Sequence, residues 1–234
     1  MSLISLNLQA VRQRIATECR RTSRDPQEVT LLAVSKTFGA DAVIEAADAG
    51  QRAFGENYLQ EALDKMAAIR LARPDLLLEW HFIGPIQSNK TRPIAEHFDW
   101  VHSVDREKIA QRLSEQRPAH LPPLNICLQV NISGEQSKSG ITPDDLPELA
   151  KKVSLLPRLK LRGLMAIPEP TEDAEQRHVP FRQMRELLIK LQQQGLQLDT
   201  LSMGMSADMD AAIDEGATIV RIGTAIFGHR EYAK

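Results

Sequence analysis

Short apolar runs alternate with amphipathic segments along the chain. The first 20 residues have apolar positions at Leu8, Val11 and Ile15 among arginines, which predicts an N-terminal amphipathic helix. The aliphatic run at 29–34 is typical of a buried strand, because turn residues flank it on both sides. The helix predicted after it ends at Gly50, a residue suited to a helix C-terminus.

The same alternation continues to the end of the chain. Further strands are predicted at 52–55, 79–83, 100–103, 124–130, 160–165, 200–203 and 218–222. Helical patterns separate them at 57–72, 88–97, 105–117, 143–155, 174–194 and 206–214. Strand–helix alternation indicates a parallel sheet, and eight repeats favour a closed TIM-type (β/α)8 barrel with an extra N-terminal helix. No linker interrupts the pattern, so we expect one domain over residues 1–234.

The composition argues against several classes of function. The formal net charge of −2 and the aromatic content of 4% argue against nucleic-acid binding, which needs basic surfaces or stacking platforms. Cys19 and Cys127 show neither zinc-site spacing nor a disulfide pattern. The chain shows no signal-peptide pattern and no apolar run long enough to cross a membrane. We therefore expect a cytoplasmic protein without a metal site.

Polar residues and glycines collect where the predicted strands end, which is where barrels of this class build their sites. Lys36 follows the first strand, and alternation places it on the same face as Leu32 and Val34. A lysine facing the barrel interior would be partly desolvated, and its amine would be nucleophilic toward carbonyls. A strand-end lysine that points to water is the alternative interpretation.

Two glycine-containing segments, 201–208 and 221–228, begin in the last two strands and run past their ends. Barrels often bind phosphate there with loop amides and a helix N-terminus. The hydroxyl of Ser206 would either cap the next helix or meet a phosphate oxygen. Gly223 would allow backbone N–H groups to come close to a ligand. An ordinary helix cap with turn glycines is the alternative.

Arg221 lies between Val220 and Ile222 in the last strand, so it faces the barrel interior if those two pack under the helices. A buried arginine needs a partner. The candidates are a structural salt bridge with Glu56 or a hydrogen bond to a ring nitrogen of a ligand. His81, in the third strand, is interpreted as a core or rim histidine rather than a base.

Long strings of this sequence resemble the YggS/PROSC family of pyridoxal phosphate homeostasis proteins, and the resemblance covers nearly the whole chain. They are LLAVSKTFGADAVIEAADAGQRAFGENYLQEALDK, WHFIGPIQSNKTRPI, VNISGEQSKSGI, LRGLMAIP and LSMGMSADMDAAIDEGATIVRIGTAIFG. The pattern HFIG-x-IQ-x-NK within the second string is highly specific.

The resemblance implies a barrel similar to the N-terminal domain of alanine racemase. It implies that pyridoxal 5′-phosphate (PLP) is held as an internal aldimine on Lys36, with Asn57 beside the cofactor. Arg221 would lie against the pyridine nitrogen, and the phosphate would be held by Ser206, Gly223 and Thr224. The implied function is buffering or delivery of PLP, with indirect effects on amino-acid and keto-acid pools.

Two enzymatic alternatives stay open at this point: a weak PLP-dependent racemase or transaminase, and a Schiff-base aldolase acting on a sugar phosphate. Alanine racemase uses a tyrosine from a second domain as an acid/base, whereas this chain has only Tyr58 and Tyr232. We therefore expect no catalytic residues. The expected partners are PLP and, transiently, the apo forms of PLP enzymes, and we expect a monomer.

Overall fold

The computed structural model describes residues 2–134 and 139–228. Its strands are β1 (Thr30–Val34), β2 (Ala53–Glu56), β3 (Glu79–Phe82), β4 (Trp100–Val104), β5 (Leu124–Gln129), β6 (Leu159–Met165), β7 (Thr200–Ser202) and β8 (Ile219–Ile222). Its α-helices are α1 (Leu3–Arg21), α2 (Ala40–Asp48), α3 (Leu59–Ala72), α4 (Thr91–His97), α5 (Glu107–Gln116), α6 (Leu146–Ser154), α7 (Ala174–Gln193), α8 (Met209–Asp214) and α9 (Thr224–Phe227). Short 3-10 turns occupy Pro26–Glu28 and Ser88–Lys90.

The described strands form one closed parallel barrel in the order β1 to β8, and β8 pairs back onto β1. The predicted fold class and N-terminal helix are confirmed. No strand boundary differs from the prediction by more than one residue. Helix α9 was missed because a helix of four residues carries no readable periodicity.

The alternation of side chains in each strand separates two apolar clusters. The outer cluster lies between strands and helices and includes Leu31 and Ala33 of β1. The inner cluster fills the barrel and includes Leu32 of the same strand. On β8, Val220 and Ile222 belong to the outer cluster, so Arg221 between them faces the interior.

Helix α1 is hydrogen-bonded to the two segments that follow β7 and β8. Its buried stripe is Leu8, Val11, Ile15 and Cys19. From its polar side, Asn7 Nδ2 donates to the carbonyl of Ile226 at 2.9 Å, and Arg14 Nη1 donates to the carbonyl of Ser206 at 3.1 Å. The extra helix therefore braces the predicted phosphate segments.

Three further properties concern the described residues. Both cysteines are buried free thiols. No grouping of His, Cys, Asp and Glu among the described residues is suited to a metal ion. None of the described helices combines the length and apolarity needed to cross a membrane.

Candidate functional site

Lys36 lies directly after β1 in a turn whose shape is fixed on both sides. It is half-buried. The buried Ser35 before it donates its backbone N–H to Gly55 at 3.0 Å. Thr37 after it has φ +68°, a left-handed conformation that is rare for a β-branched residue. The N–H of Thr37 donates to Glu61 Oε1 at 2.5 Å, which holds that conformation in place.

A buried ion pair on the helix side of the barrel contacts the same turn. Lys65 of α3 donates its Nζ to Glu56 Oε1 at 2.6 Å and to the carbonyl of Ser35 at 2.8 Å. The Ser35 hydroxyl donates to the same Glu56 oxygen at 2.6 Å. Burial raises the pKa of Glu56, while the charge and hydrogen bond of Lys65 oppose that rise. Lys65 thus fixes the carbonyl immediately before Lys36, a role that sequence reasoning missed.

Asn57 follows β2 and lines a cavity of about 340 Å³ together with Ile83 and Gln129. Its Oδ1 is buried and accepts no hydrogen bond from another described residue. The end of β3 lies directly against it: a Cβ on Gly84 would be 2.2 Å from the Asn57 carbonyl oxygen. Such a buried acceptor beside a cavity is a polar group that a ligand could satisfy.

Arg221 is 4% exposed and lies inside the barrel near its carboxyl end. It donates Nη1 to the Ser202 carbonyl and hydroxyl at 2.7 and 2.8 Å, and Nη2 to the Ala166 carbonyl at 2.9 Å. Burial lowers the pKa of Arg221 to about 10, so the side chain remains a cation at neutral pH. The predicted interior position is confirmed.

The salt bridge considered between Arg221 and Glu56 is wrong. Alternation along β2 puts Glu56 on the outer face with Phe54, where it meets Lys65 of α3. No carboxylate lies within ion-pair distance of Arg221 among the described residues. Arg221 is therefore a buried cation held only by neutral oxygen atoms.

Ser206 is half-buried in the turn before α8. The capping interpretation is wrong, because α8 begins at Met209 and its N-cap is Asp208. The Asp208 carboxylate is engaged locally and accepts the N–H of Met205 at 2.6 Å. Within the described part of the chain, the Ser206 hydroxyl makes no hydrogen bond.

Gly223 and Thr224 connect β8 to α9, beside the end of β1. A Cβ on Gly223 would lie 3.2 Å from the carbonyl of Val34, so the two strand ends are close. Thr224 is exposed as the first residue of α9. The ring of Phe38, after β1, stacks on Phe227 of α9 with centroids 5.1 Å apart. The barrel thus brings Lys36 and the segment 223–224 onto adjacent strand ends.

His81 is a core histidine, as one interpretation of the sequence had it: it is fully buried. Its ring lies 2.9 Å from the fully buried His102 of β4. Sequence reasoning passed over His102, although alternation within β4 places it on the inner face with Trp100.

Parts of two sequence-based arguments lie outside the described residues. Residues 135–138 of the string VNISGEQSKSGI and Tyr232 are among them. Tyr58, the other tyrosine, is 52% exposed at the start of α3.

Comparison with known proteins supplies the family. The model for the alanine racemase N-terminal domain matches residues 6–231. A pyridoxal phosphate homeostasis protein of Pseudomonas aeruginosa is 66% identical over 232 residues, covering 99% of this chain and 98% of the relative. The chain belongs to the family of pyridoxal phosphate homeostasis proteins. The resemblance found in the sequence is thereby confirmed.

Solved structures agree with this family. PipY of Synechococcus elongatus PCC7942, solved with PLP bound, is 40% identical with a TM-score of 0.82, covering 96% of this chain and 100% of PipY. Alanine racemase of Corynebacterium glutamicum is 17% identical with a TM-score of 0.67, covering 99% of this chain and 62% of the racemase. The second likeness shows that the homeostasis family shares the racemase barrel fold.

Proposed function

We propose that this protein holds PLP at the carboxyl end of its barrel and buffers or delivers it in the cell. The observation that carries the proposal is Arg221, a buried cation without a carboxylate partner among the described residues. It pairs in register with Leu32 of β1, the strand that ends at Lys36. A heteroaromatic nitrogen that accepts a hydrogen bond is a suitable partner for such a cation.

The other residues present fit this cofactor. The Lys36 amine would condense with the PLP aldehyde carbon to form a C=N bond with loss of water. Asn57 offers an unsatisfied buried acceptor beside the cavity. The unpaired hydroxyl of Ser206 and the backbone of Gly223 and Thr224 would face the phosphate oxygens.

The same geometry favours holding PLP over transforming a substrate. Arg221 donates hydrogen bonds and stays cationic at neutral pH, so it keeps the ring nitrogen unprotonated. An unprotonated pyridine is a weaker electron sink, which disfavours carbanion chemistry. We accordingly propose a non-catalytic, monomeric, single-domain cytoplasmic protein over residues 1–234. It would pass PLP to apo enzymes in transient encounters.

The attachment is tested with the purified protein and a matched lysine variant. Lys36→Ala is compared with Lys160→Ala, since Lys160 is exposed near the amino end of β6, at the other end of the barrel. Wild type and Lys160→Ala should bind PLP with visible absorbance that borohydride reduction removes. Lys36→Ala should lose that absorbance. Equal borohydride-sensitive absorbance in Lys36→Ala would overturn the assignment.

Delivery is tested by mixing the PLP-loaded protein with an apo PLP enzyme. Its activation is compared with that produced by an equal amount of free PLP. Faster or fuller activation supports transfer between the two proteins. Activation no better than with free PLP would contradict delivery and leave buffering as the function.

A further inference from the structure

A chain of hydrogen-bonded side chains crosses the interior of the barrel. It starts at Glu79, at the amino end of β3, whose side chain is 48% exposed. Glu79 Oε1 lies 2.8 Å from His81 Nε2, and His81 Nδ1 lies 2.9 Å from His102 Nε2. His102 Nδ1 lies 2.7 Å from Ser202 Oγ, which accepts from Arg221 Nη1 at 2.8 Å. The hydrogen-bonded chain thus connects solvent at the amino end of the barrel with Arg221 near the carboxyl end.

The residues at its two ends fix which group donates and which accepts at every hydrogen bond along this series of side chains. A carboxylate only accepts, so His81 donates from Nε2 and its neutral ring accepts at Nδ1. His102 therefore donates from Nε2 and accepts the Ser202 hydroxyl proton at Nδ1. A guanidinium only donates, which agrees with its place at the other end. Burial lowers the pKa of both histidines, so both rings are neutral at pH 7.

We propose that Glu79, His81, His102 and Ser202 are positioning residues that fix the orientation and hydrogen-bond polarity of Arg221 from the far end of the barrel. The proposal rests on the proposed function, in which Arg221 meets the cofactor ring. Each neutral imidazole turns its unprotonated Nδ1 toward the arginine side, which favours the cation. Ser202 occupies Nη1 and the Ala166 carbonyl accepts one N–H of Nη2, so Nε and the second N–H of Nη2 are left for the ligand.

The charges around the chain leave Glu79 as the group that sets its direction. The His81 ring stacks on Trp100 with centroids 5.4 Å apart, and Asp99 acts on His81 only through space. At the arginine end, Asp208 and the Cys127 thiol act through space on Arg221. Arg162, near Glu79, is paired with Asp199.

Glu79→Gln tests the direction without removing the chain. A glutamine can either donate to or accept from His81, so both directions become possible. The matched control is Asp199→Asn, which neutralises another carboxylate at the same end of the barrel. Nitrogen-15 NMR of histidine-labelled apo protein at pH 7 reads the tautomers. We expect His81 and His102 to be neutral Nε2–H tautomers in wild type and in the control, and mixed tautomers in Glu79→Gln.

The effect on Arg221 is measured with PLP. Ser202→Ala removes the hydroxyl, one of the two acceptors of Nη1, and keeps the Ser202 carbonyl. It is compared with Ser114→Ala, the same change at a buried serine that bonds to the Pro157 carbonyl and takes no part in the hydrogen-bonded chain. We expect Ser202→Ala and Glu79→Gln to shift the absorbance maximum of bound PLP. We also expect Ser202→Ala to weaken affinity roughly 10-fold, the scale of one hydrogen bond to a charged group. Both control variants should match wild type.

Each outcome decides a different statement. A wild-type Nδ1–H tautomer, or a protonated ring at pH 7, would overturn the chain itself. Correct tautomers with unchanged PLP absorbance and affinity in Ser202→Ala and Glu79→Gln would overturn its action on Arg221. A wild-type protein that binds no PLP would contradict the proposed function, while the apo NMR result would still report on the chain.

Discussion

Two ion pairs at opposite ends of the barrel have similar geometry and different surroundings. Lys65 and Glu56, beside the turn of Lys36, are 2.6 Å apart with side chains 3% and 0% exposed. Arg162 and Asp199, at the amino end, are 2.8 Å apart with side chains 24% and 57% exposed. Solvent screens the second pair and cannot screen the first. Of these two pairs, the buried one is the pair that fixes the backbone next to the proposed cofactor lysine.

The cavities at the two ends also differ in the polar groups that line them. A cavity of about 530 Å³ at the amino end, larger than the one beside Asn57, is lined by Arg12 and Arg52. Their guanidinium groups donate to the carbonyls of Ala49 and Ala47 at the end of α2. At the carboxyl end, Asn57 Oδ1 finds no partner in the described residues. Of these two cavities, the smaller one is marked by a buried polar atom without a partner, so such an atom is a better guide to the candidate site than cavity size.

The strongest test of this contrast is Lys65→Met. Removing the ammonium leaves Glu56 buried without its counter-charge, and such a change costs about 3–5 kcal/mol. We expect a loss of that size in the free energy of unfolding, measured by urea denaturation at pH 7. The Ser35 carbonyl also loses its donor, so PLP should be retained less well.

The double variant Lys65→Met/Glu56→Gln is the matched control. It also removes the negative charge of Glu56, which Lys65→Met leaves buried and unpaired, so it should recover most of the lost stability. A loss below about 1 kcal/mol in Lys65→Met would mean that this pair behaves like an exposed one. The contrast between the two ends would then fail.

Gly84→Ala tests how tightly the carboxyl end of the barrel is packed around Asn57. The new Cβ would lie 2.2 Å from a backbone oxygen that cannot move alone, and such overpacking costs about 1–3 kcal/mol. Gly39→Ala is the control, since no atom lies within 4 Å of the Cβ there. Urea denaturation should show a change of no more than about 0.5 kcal/mol for the control. Equal stability of the two variants would contradict the close approach of β3 to Asn57.

The sequence predicted the parts of this molecule that depend on local pattern. The aliphatic run 29–34 between turn residues predicted β1, and alternation put Lys36 on the same face as Leu32, which lies inside the barrel. The same rule, applied to Val220 and Ile222, placed Arg221 inside the barrel. Periodicity and side-chain parity are local properties, so one sequence is enough to read them. The roles of Lys36 and of the phosphate segments came from the family strings and stay proposals.

The contacts that span strands could not be predicted in the same way. Parity puts His81, His102 and Ser202 inside the barrel, and their hydrogen bonds depend on the register between strands. The capping interpretation of Ser206 failed for a related reason: Asp208, two residues later, is an equally good cap in sequence terms. The Lys65–Glu56 pair needed the docking of α3 on β2, which residue spacing alone does not give.

The pH dependence of stability tests the buried histidines. The pKa of His102 is well below 6.5 in the folded protein because burial disfavours its charge. The unfolded chain then binds more protons, so stability is full above about pH 6.5 and falls as the pH decreases. At pH 5.5 His102 therefore lowers the free energy of unfolding relative to pH 7.5, and His81 adds to the loss in the same direction.

The measurement compares urea denaturation at pH 7.5 and pH 5.5 in wild type and His102→Asn. The variant should lose less stability between the two pH values, because one of the buried titrating groups is gone. Ser114→Ala, which removes no titrating group, should keep the wild-type difference. Identical differences in wild type and His102→Asn would contradict the lowered pKa of His102 in the folded protein.

The smallest effect on stability is expected at the exposed ion pair, Arg162–Asp199. Asp199→Asn removes the partner of Arg162, which keeps its bond to the Asn125 side chain and its position 4.7 Å over the Trp100 ring. A pair that solvent screens contributes about 0–1 kcal/mol, so the free energy of unfolding should change by less than about 1 kcal/mol. Added salt should reduce even that difference, whereas it should leave the loss in Lys65→Met nearly unchanged. A salt-insensitive loss of several kcal/mol in Asp199→Asn would show that both ends of the barrel depend on unscreened charge.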